Sequence, residues 1–164
     1  MQREHPVVIH SIDVITNYFL PFFPAFSKLR RLKKLNLDSN NITEIKPFAF
    51  KGLRDMEEIS VQNNPIKVLS SFAFAGIRNV SSLMLGHNQL SVIEGSAFAA
   101  TEMIQMLILN NNPIKVSTFI FFEHVTCLTH LRLFEYLLPS SFEIKSLDFI
   151  FLRCPKIFLL FHIC

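Results

Sequence analysis

One feature constrains the fold of this chain more than any other: every twenty-fourth position through its middle carries the same type of residue. Apolar residues recur with that step at two positions separated by one residue, and an asparagine and a phenylalanine recur with it further along the unit. The series are Leu35, Ile59, Leu83, Leu107 and Leu131; Leu37, Val61, Leu85, Leu109 and Leu133; Asn40, Asn64, Asn88 and Asn112; and Phe50, Phe74, Phe98 and Phe122. A step shared by so many positions indicates a repeat architecture, in which stacked units bury one continuous core.

The residue types within one unit predict its local structure. Leu35 and Leu37 alternate with polar neighbours, which is typical of a short strand with one buried face. Such strands, one per repeat, are expected to pair in parallel along one side of a solenoid. Asn40 follows the strand, where its amide can bond the backbone of its own turn and of the next repeat. Phe50 and its equivalents are predicted to stack beneath the opposite side.

The first residues keep only part of this pattern. Residues 1–28 are predicted to be a degenerate first repeat or an N-terminal cap. One step before the leucines of the first clear strand stand Ser11 and Asp13, so the strand pattern is predicted to be lost there. Phe26, in contrast, lies one step before Phe50. End repeats are expected to be atypical because one of their faces meets water.

The solenoid is predicted over residues 29–136, with four to five repeats, and it ends near Tyr136, which replaces the asparagine of the fifth unit. Residues 137–164 are rich in Phe, Ile and Leu but do not follow the 24-residue repeat pattern. Two interpretations stay open for this tail: a cap that contains a helix around residues 141–152, or a non-native extension.

Composition and charge narrow the possible functions. The net charge is +3, and the basic residues look scattered, without interleaved aromatics, so nucleic acid is not the predicted partner. No run of 18 apolar residues occurs, and the start does not resemble a secretory signal. We therefore expect either an intracellular protein or an incomplete chain that lacks its first exon. Cys127, Cys154 and Cys164 form no disulfide framework, and their disulfide state stays open.

Motifs for catalysis are missing from the sequence, which has no Gly-rich phosphate loop, no G-x-S-x-G and no H-E-x-x-H. His124, Cys127 and His130 have the spacing of metal ligands, H-x-x-C-x-x-H, but a zinc site needs three or four ligands within tetrahedral reach. The repeat places His124 in a turn and His130 beside a strand, so the two are predicted to face different sides. We predict no enzyme, no cofactor and no metal site.

The outward positions of the predicted strands form the candidate ligand-binding surface. The residues predicted to contact a ligand are Lys34, Asn36, Asp38, Glu58, Ser60, Gln62, Met84, Met106, Ile108, Asn110 and Arg132; the same frame also contains Ser82, Gly86, His130 and Phe134. Met84, Met106 and Ile108 are predicted to form an apolar cluster between polar rows, which marks an interaction patch. Two alternatives stay open: the tail covers this cluster, or its composition is neutral drift.

Two sequons for N-glycosylation lie just outside the inward positions, Asn41-Ile42-Thr43 and Asn79-Val80-Ser81. Such triplets also arise by chance, and the sequence leaves both interpretations open.

The unit L-x-x-L-x-L-x-x-N-x-I-x-x-I-x-x-x-A-F-x-G-L, seen at Leu32–Leu53 and again in the next repeat, resembles the typical class of leucine-rich repeats. Proteins with this class of repeat include Toll-like receptors, Slit-type guidance proteins, adhesion receptors and small leucine-rich proteoglycans. The resemblance implies an α/β solenoid, a right-handed coil with a parallel β-sheet on its concave face and loops or short helical turns on its convex face. The cysteine-bearing caps common in that class are absent from this chain.

The resemblance implies a non-enzymatic module that binds a protein ligand, as all or part of the ectodomain of a cell-surface or secreted protein in adhesion or signalling. The alternative is an intracellular leucine-rich-repeat scaffold, which the missing signal and cap cysteines favour. Glycan at Asn41 or Asn79 would separate the two, since sequons are used only in the secretory pathway.

Overall fold

The computed structural model describes residues 11–13, 26, 28–114, 128–132 and 158–159, and for some of the strand residues at either end only the backbone. These residues form ten strands. In chain order they are β1 (Ser11–Asp13), β2 (Lys34–Asn36), β3 (Glu44–Ile45), β4 (Asp55–Ser60), β5 (Val68–Leu69), β6 (Asn79–Met84), β7 (Val92–Ile93), β8 (Met103–Ile108), β9 (Leu128–Arg132) and β10 (Phe158–Leu159). Within this part of the chain, no helix has the length and apolar character needed to cross a membrane.

Seven strands form one parallel sheet, the large sheet, in the order β1-β2-β4-β6-β8-β9-β10. Within this sheet, β2, β4, β6 and β8 each pair with the strand one repeat later. The successive register partners include Leu35, Ile59, Leu83, Leu107 and Leu131. This register confirms the predicted solenoid of stacked, parallel units.

The repeats also form a second, smaller sheet, which the sequence analysis did not predict. Its strands β3, β5 and β7 pair in parallel, with Ile45, Leu69 and Ile93 as successive partners. Such short strands are too brief for an alternating pattern to be read from sequence. The chain then turns through i to i−3 hydrogen bonds, such as Leu53 N–H to Phe50 O at 3.1 Å, and among the described residues no helix forms there.

Inward residues of both sheets, such as Leu35 and Ile45, belong to one hydrophobic core. Phe26, Phe50, Phe74 and Phe98 form the predicted stack, with ring centroids 6.1, 5.3 and 5.3 Å apart. All the inward apolar positions of the four clear repeats that the structure describes are buried, and Phe122 lies outside the described residues. Each such leucine or isoleucine contributes about 1.5–3 kcal/mol by leaving water, which is what holds neighbouring repeats together.

The first strand corrects one prediction. The strand pattern was predicted to be lost around Ser11 and Asp13, but β1 pairs with β2 and places Ile12 opposite Leu35. The step here is one residue shorter than in the later repeats, so Ile12, rather than its neighbours, takes the leucine position. A change of one residue moves every side chain to the other face of a strand, which hid this repeat from a search at a single fixed step.

The last strand shows that the large sheet continues past the predicted limit at residue 136. β10 pairs in parallel with β9, with His130 opposite Phe158 and Leu131 opposite Leu159. The step between these partners is longer than one repeat, so the tail adds a strand without following the repeat pattern. Nearly all of the tail, including the predicted helix around residues 141–152, lies outside the described residues.

Candidate ligand-binding surface

The large sheet brings the predicted contact residues together in rows that cross the strands. One row runs Lys34, Glu58, Ser82, Met106 and His130, and the next runs Asn36, Ser60, Met84, Ile108 and Arg132. Asp38, Gln62, Gly86 and Asn110 follow the strands with the same spacing and form a third row. The side chain of Arg132 and the whole of Phe134 lie outside the described residues.

Exposure differs along these rows. Lys34 is exposed, and Asn36, Asp38, Glu58, Gln62, Met84, Met106, Ile108 and Asn110 are partly exposed. Ser60, in contrast, keeps only 2% of its surface accessible, and Ser82 keeps 9%. Both side chains are small and lie between longer neighbours, which cover them. Ser60 was predicted to contact a ligand, but its side chain is almost fully buried, so it is not among the proposed contacts.

Asp38 is the polar centre of the N-terminal half of this surface. Its Oδ1 accepts hydrogen bonds from the Ser60 hydroxyl and from the Gln62 backbone N–H, both at 2.6 Å. Its own backbone N–H donates to Asn36 Oδ1 at 2.9 Å. These bonds join two repeats and hold the carboxylate in one orientation.

Met84 and Ile108 form the apolar part of the surface. They are register partners on neighbouring strands, and Met106 lies on the same face of the strand that holds Ile108. Gln62 Nε2 lies 3.6 Å from the Met84 sulfur and 3.2 Å from Ser60 Oγ, so it connects the apolar part to the polar one. All three apolar side chains are partly exposed, as expected for an interaction patch.

Gly86 has a role that the sequence analysis missed. A Cβ atom at this position would lie 2.3 Å from Asn110 Oδ1, so the Asn110 carboxamide occupies the space that a side chain would need. That oxygen is buried and has no hydrogen-bond partner among the described residues. The amide nitrogen lies 3.3 Å from His87 Nε2. The sequence offers one indication of this role: residue 86 is the only glycine in the row of Asp38, Gln62, Gly86 and Asn110.

The asparagine ladder forms beside this surface, at the strand ends. Asn64 Nδ2 donates to the carbonyl oxygens of Leu37, Val61 and Gln62 at 3.0, 3.3 and 2.9 Å. Its Oδ1 accepts from the Ile42 N–H at 3.1 Å. The partners outside its own turn, Leu37 and Ile42, thus belong to the preceding repeat, whereas the next repeat was predicted. Leu37 O, which also accepts from Asn40 Nδ2 at 2.9 Å, comes just after the preceding strand and lies within reach of Asn64.

Asn88 and Asn112 repeat the donor pattern and are buried, while Asn40 in the first unit is only partly buried. Asn112 Oδ1 accepts from the Leu90 N–H at 3.0 Å, but within the described part of the chain Asn88 Oδ1 has no partner. The residue that follows each asparagine differs in the same way. Proline follows Asn64 and Asn112, whereas Gln89 follows Asn88 and donates its backbone N–H to Ile66 O at 2.9 Å.

The two sequon asparagines differ in their surroundings. Asn41 is exposed, and so is Thr43 two residues later. Asn79 is partly buried and donates from Nδ2 to Asp55 Oδ1 at 2.6 Å. In the folded chain, the side-chain nitrogen of Asn79 is thus already engaged.

The H-x-x-C-x-x-H motif falls mostly outside the described residues. Of its members only His130 is described, next to Met106 in the large sheet, and His124 and Cys127 are not. The other cysteines, Cys154 and Cys164, are not described either. In the described part of the chain, no group of three or more His, Cys, Asp or Glu side chains is placed to hold a metal ion.

The geometry of the repeats agrees with a comparison to known families. The family model described as leucine rich repeat matches residues 30–90 and, in a second overlapping match, residues 54–114. Together the two matches cover just over half of the chain. The comparison with curated proteins gave no match.

Proposed function

Because the chain belongs to the leucine-rich repeat family, we propose that it is a non-enzymatic protein-binding module whose ligand docks on the outward face of the large sheet. The observation that carries this proposal is the pairing of Met84 with Ile108 beside the fixed carboxylate of Asp38. An apolar centre next to an oriented charge suits a protein ligand, because the apolar atoms supply affinity and the charge supplies specificity.

We further propose that this module is all or part of the ligand-binding ectodomain of a secreted or cell-surface protein in adhesion or signalling. The resemblance to the typical repeat class supports this, and so does the exposed sequon at Asn41. Glycopeptide mass spectrometry on the protein isolated from its own cells tests it. Glycan at Asn41 supports the extracellular proposal, whereas an unmodified Asn41 in protein from the cytosolic fraction overturns it in favour of an intracellular scaffold.

The binding proposal is tested by screening the purified chain, displayed on a tetravalent carrier, against an arrayed library of ectodomains and a library of cytosolic proteins. Each hit is then measured with Ile108→Lys, which places a charge in the apolar cluster. The matched control is Val92→Lys, because Val92 is an exposed apolar residue, 42% accessible, on the small sheet.

A true ligand of the proposed surface binds wild type and the Val92 variant alike and binds the Ile108 variant at least about tenfold more weakly, since losing one well-packed interface contact costs more than about 1 kcal/mol. Equal loss in both variants, or a loss in the Val92 variant alone, overturns the assignment of the large sheet as the binding face.

A further inference from the structure

Two phenylalanine rings are exposed just after the first two strands of the small sheet. Phe48 and Phe72 each follow such a strand by three residues, and their rings stack with centroids 5.8 Å apart and planes 3° from parallel. The Phe48 backbone N–H donates to Phe72 O at 2.8 Å, which joins the two turns directly. Each residue stays 42% accessible, unlike the buried rings of the core stack. The fold therefore places a parallel pair of aromatic rings on its surface.

The backbone at both rings is left-handed, with φ of 61° at Phe48 and 62° at Phe72. A bulky residue is rarely found in that region, because its Cβ comes too close to the following carbonyl oxygen. Neither ring belongs to the buried core, so core packing does not account for a phenylalanine at these positions. Strained backbone is common where a protein holds a side chain ready for a ligand.

The outer stack ends after Phe72. The Phe72 N–H donates to Ser96 O at 2.9 Å, the same bond that Phe48 makes one repeat earlier, so Ser96 takes the equivalent position. Ser96 carries no ring, and among the described residues it is not one of those with a positive φ. The core stack, in contrast, continues from Phe74 to Phe98. Within the described part of the chain, Phe72 thus has an aromatic neighbour only on the side of Phe48.

A carboxylate is held next to the backbone that carries this ring. Glu94 Oε2 accepts hydrogen bonds from the hydroxyl of Ser71 at 2.7 Å and from its backbone N–H at 2.6 Å, and Ser71 is the residue before Phe72. These bonds lower the pKa of the Glu94 carboxyl, so the exposed side chain is charged at neutral pH. Among the described residues, no cation pairs with Glu94 and no donor reaches its Oε1.

The ion pair of Arg78 and Glu102 shows what Glu94 lacks. There the cation stands one repeat before the carboxylate, and Arg78 Nε lies 2.9 Å from Glu102 Oε2. The position one repeat before Glu94 is Ser70, and the nearest basic residue at that position of the unit, Lys46, stands two repeats before. The chain therefore orients the Glu94 carboxylate without supplying a cation for it from the preceding repeat.

We propose that Phe72 and Glu94 form a docking site for an arginine side chain of a protein partner, separate from the outward face of the large sheet. The guanidinium group stacks on the Phe72 ring, whose faces carry the negative part of the aromatic quadrupole, and donates to Glu94 Oε1. Arginine suits this site better than lysine, because its planar group stacks and hydrogen-bonds at once, whereas an ammonium group is a strongly hydrated point charge. An anionic ligand would be repelled by the same carboxylate.

The probe is the peptide acetyl-Gly-Arg-Gly-amide, and its control carries citrulline, which has the shape of arginine without the charge. NMR titration of the full chain follows the Glu94 carboxyl and Phe72 ring signals at about 0.1 M salt, where the screening length of about 10 Å suppresses long-range attraction. We expect both signals to shift saturably with the arginine peptide alone. Glu94→Gln and Phe72→Gly, each followed by the signal that it keeps, should weaken binding about two- to fivefold, the range for one exposed ion pair or cation–π contact.

Glu57→Gln is the matched control, because Glu57 is also an exposed carboxylate but lies on the large sheet. Unchanged binding by that variant and by Ile108→Lys, together with the two losses above, supports the docking site and keeps it distinct from the proposed ligand-binding surface. Equal weakening in the Glu57 variant, no loss in either site variant, or no binding of the arginine peptide overturns the proposal. Equal binding of the citrulline peptide, or of a lysine peptide, overturns the choice of arginine as the occupant.

Discussion

Asn64 Oδ1 accepts a hydrogen bond from the Ile42 backbone N–H at 3.1 Å, while the same oxygen of Asn88 has no partner among the residues that the structure describes. The two asparagines donate to three carbonyl oxygens each, and both are buried. Equivalent positions in neighbouring repeats therefore differ by one hydrogen bond, and this difference can be measured.

Replacing Asn64 with alanine should destabilise the protein more than replacing Asn88 with alanine. Both variants strand buried carbonyl groups, but only Asn64→Ala also strands the Ile42 N–H, which costs about 1–3 kcal/mol more. Urea unfolding of the two variants measures the difference. Asn41→Ala, an exposed neighbour, should unfold like wild type. If Asn64→Ala unfolds like Asn41→Ala, the ladder is not formed in solution.

The buried stack of four phenylalanines and the exposed pair Phe48–Phe72 should respond very differently to truncation. Phe74→Ala removes a fully buried ring between Phe50 and Phe98, which is expected to cost about 3–5 kcal/mol. Phe72 stacks on Phe48 but is 42% exposed, and its φ of 62° is unfavourable for a side chain. Phe72→Gly should therefore change the unfolding free energy by less than about 1 kcal/mol. A larger loss for Phe72→Gly than for Phe74→Ala would contradict the assigned core.

Gly86→Ala should strain the surface by driving its methyl group into Asn110 Oδ1, which lies 2.3 Å from the added Cβ. Overpacking of this kind costs about 1–3 kcal/mol. Asn110→Ala removes the obstacle, so the double variant should be more stable than the sum of the two single effects indicates. Thermal unfolding of all three proteins completes the cycle, and strict additivity would show that the two residues do not meet.

Gly76→Ala provides a contrast, because there the added Cβ would lie 2.8 Å from the Lys51 Cα and the φ of Gly76 is +104°. No shortening of a side chain can relieve a backbone contact or that dihedral angle. We expect Gly76→Ala to be destabilised in every background, including Lys51→Ala.

The Glu94 carboxylate should titrate below its ordinary range. Hydrogen bonds from the Ser71 hydroxyl at 2.7 Å and the Ser71 backbone N–H at 2.6 Å lower its pKa. Because the folded pKa is the lower one, this contact contributes stability above the unfolded pKa and loses it as pH falls through the folded value. Carboxyl NMR titration should show a higher Glu94 pKa in Ser71→Ala and no change in Ser70→Ala.

Much of the fold could be predicted because the same residue types recur at the same positions of several repeats. The inward leucines, the phenylalanine stack and the asparagine ladder follow from residue types at a fixed step, and the described residues confirm them. The first strand was not predicted, because the step from β1 to β2 is one residue shorter than in the later repeats. Ile12 therefore takes the leucine position instead of Ser11 or Asp13. The small sheet escaped it because its strands are too short to show an alternating pattern.

The candidate surface was predicted in outline, since alternation along a strand decides which residues face outward. Its details were not. The predicted contact Ser60 turned out to be 2% exposed, and its hydroxyl holds Asp38. A short side chain at an outward position reaches solvent only if the side chains beside it in the adjacent repeats do not cover it. The sequence of a single strand does not contain that information.

By itself, then, the sequence determined the repeat, its inward set and its outward set, because these depend on local periodicity alone. Only the tertiary structure decided which outward residues are accessible, which asparagine oxygens lack a hydrogen-bond partner among the described residues, and that Arg78 pairs with Glu102. The physical reason is that stacking sets residues one full repeat apart in the chain at about the spacing of two strands. At that distance hydrogen bonds and charges act between repeats as strongly as within them.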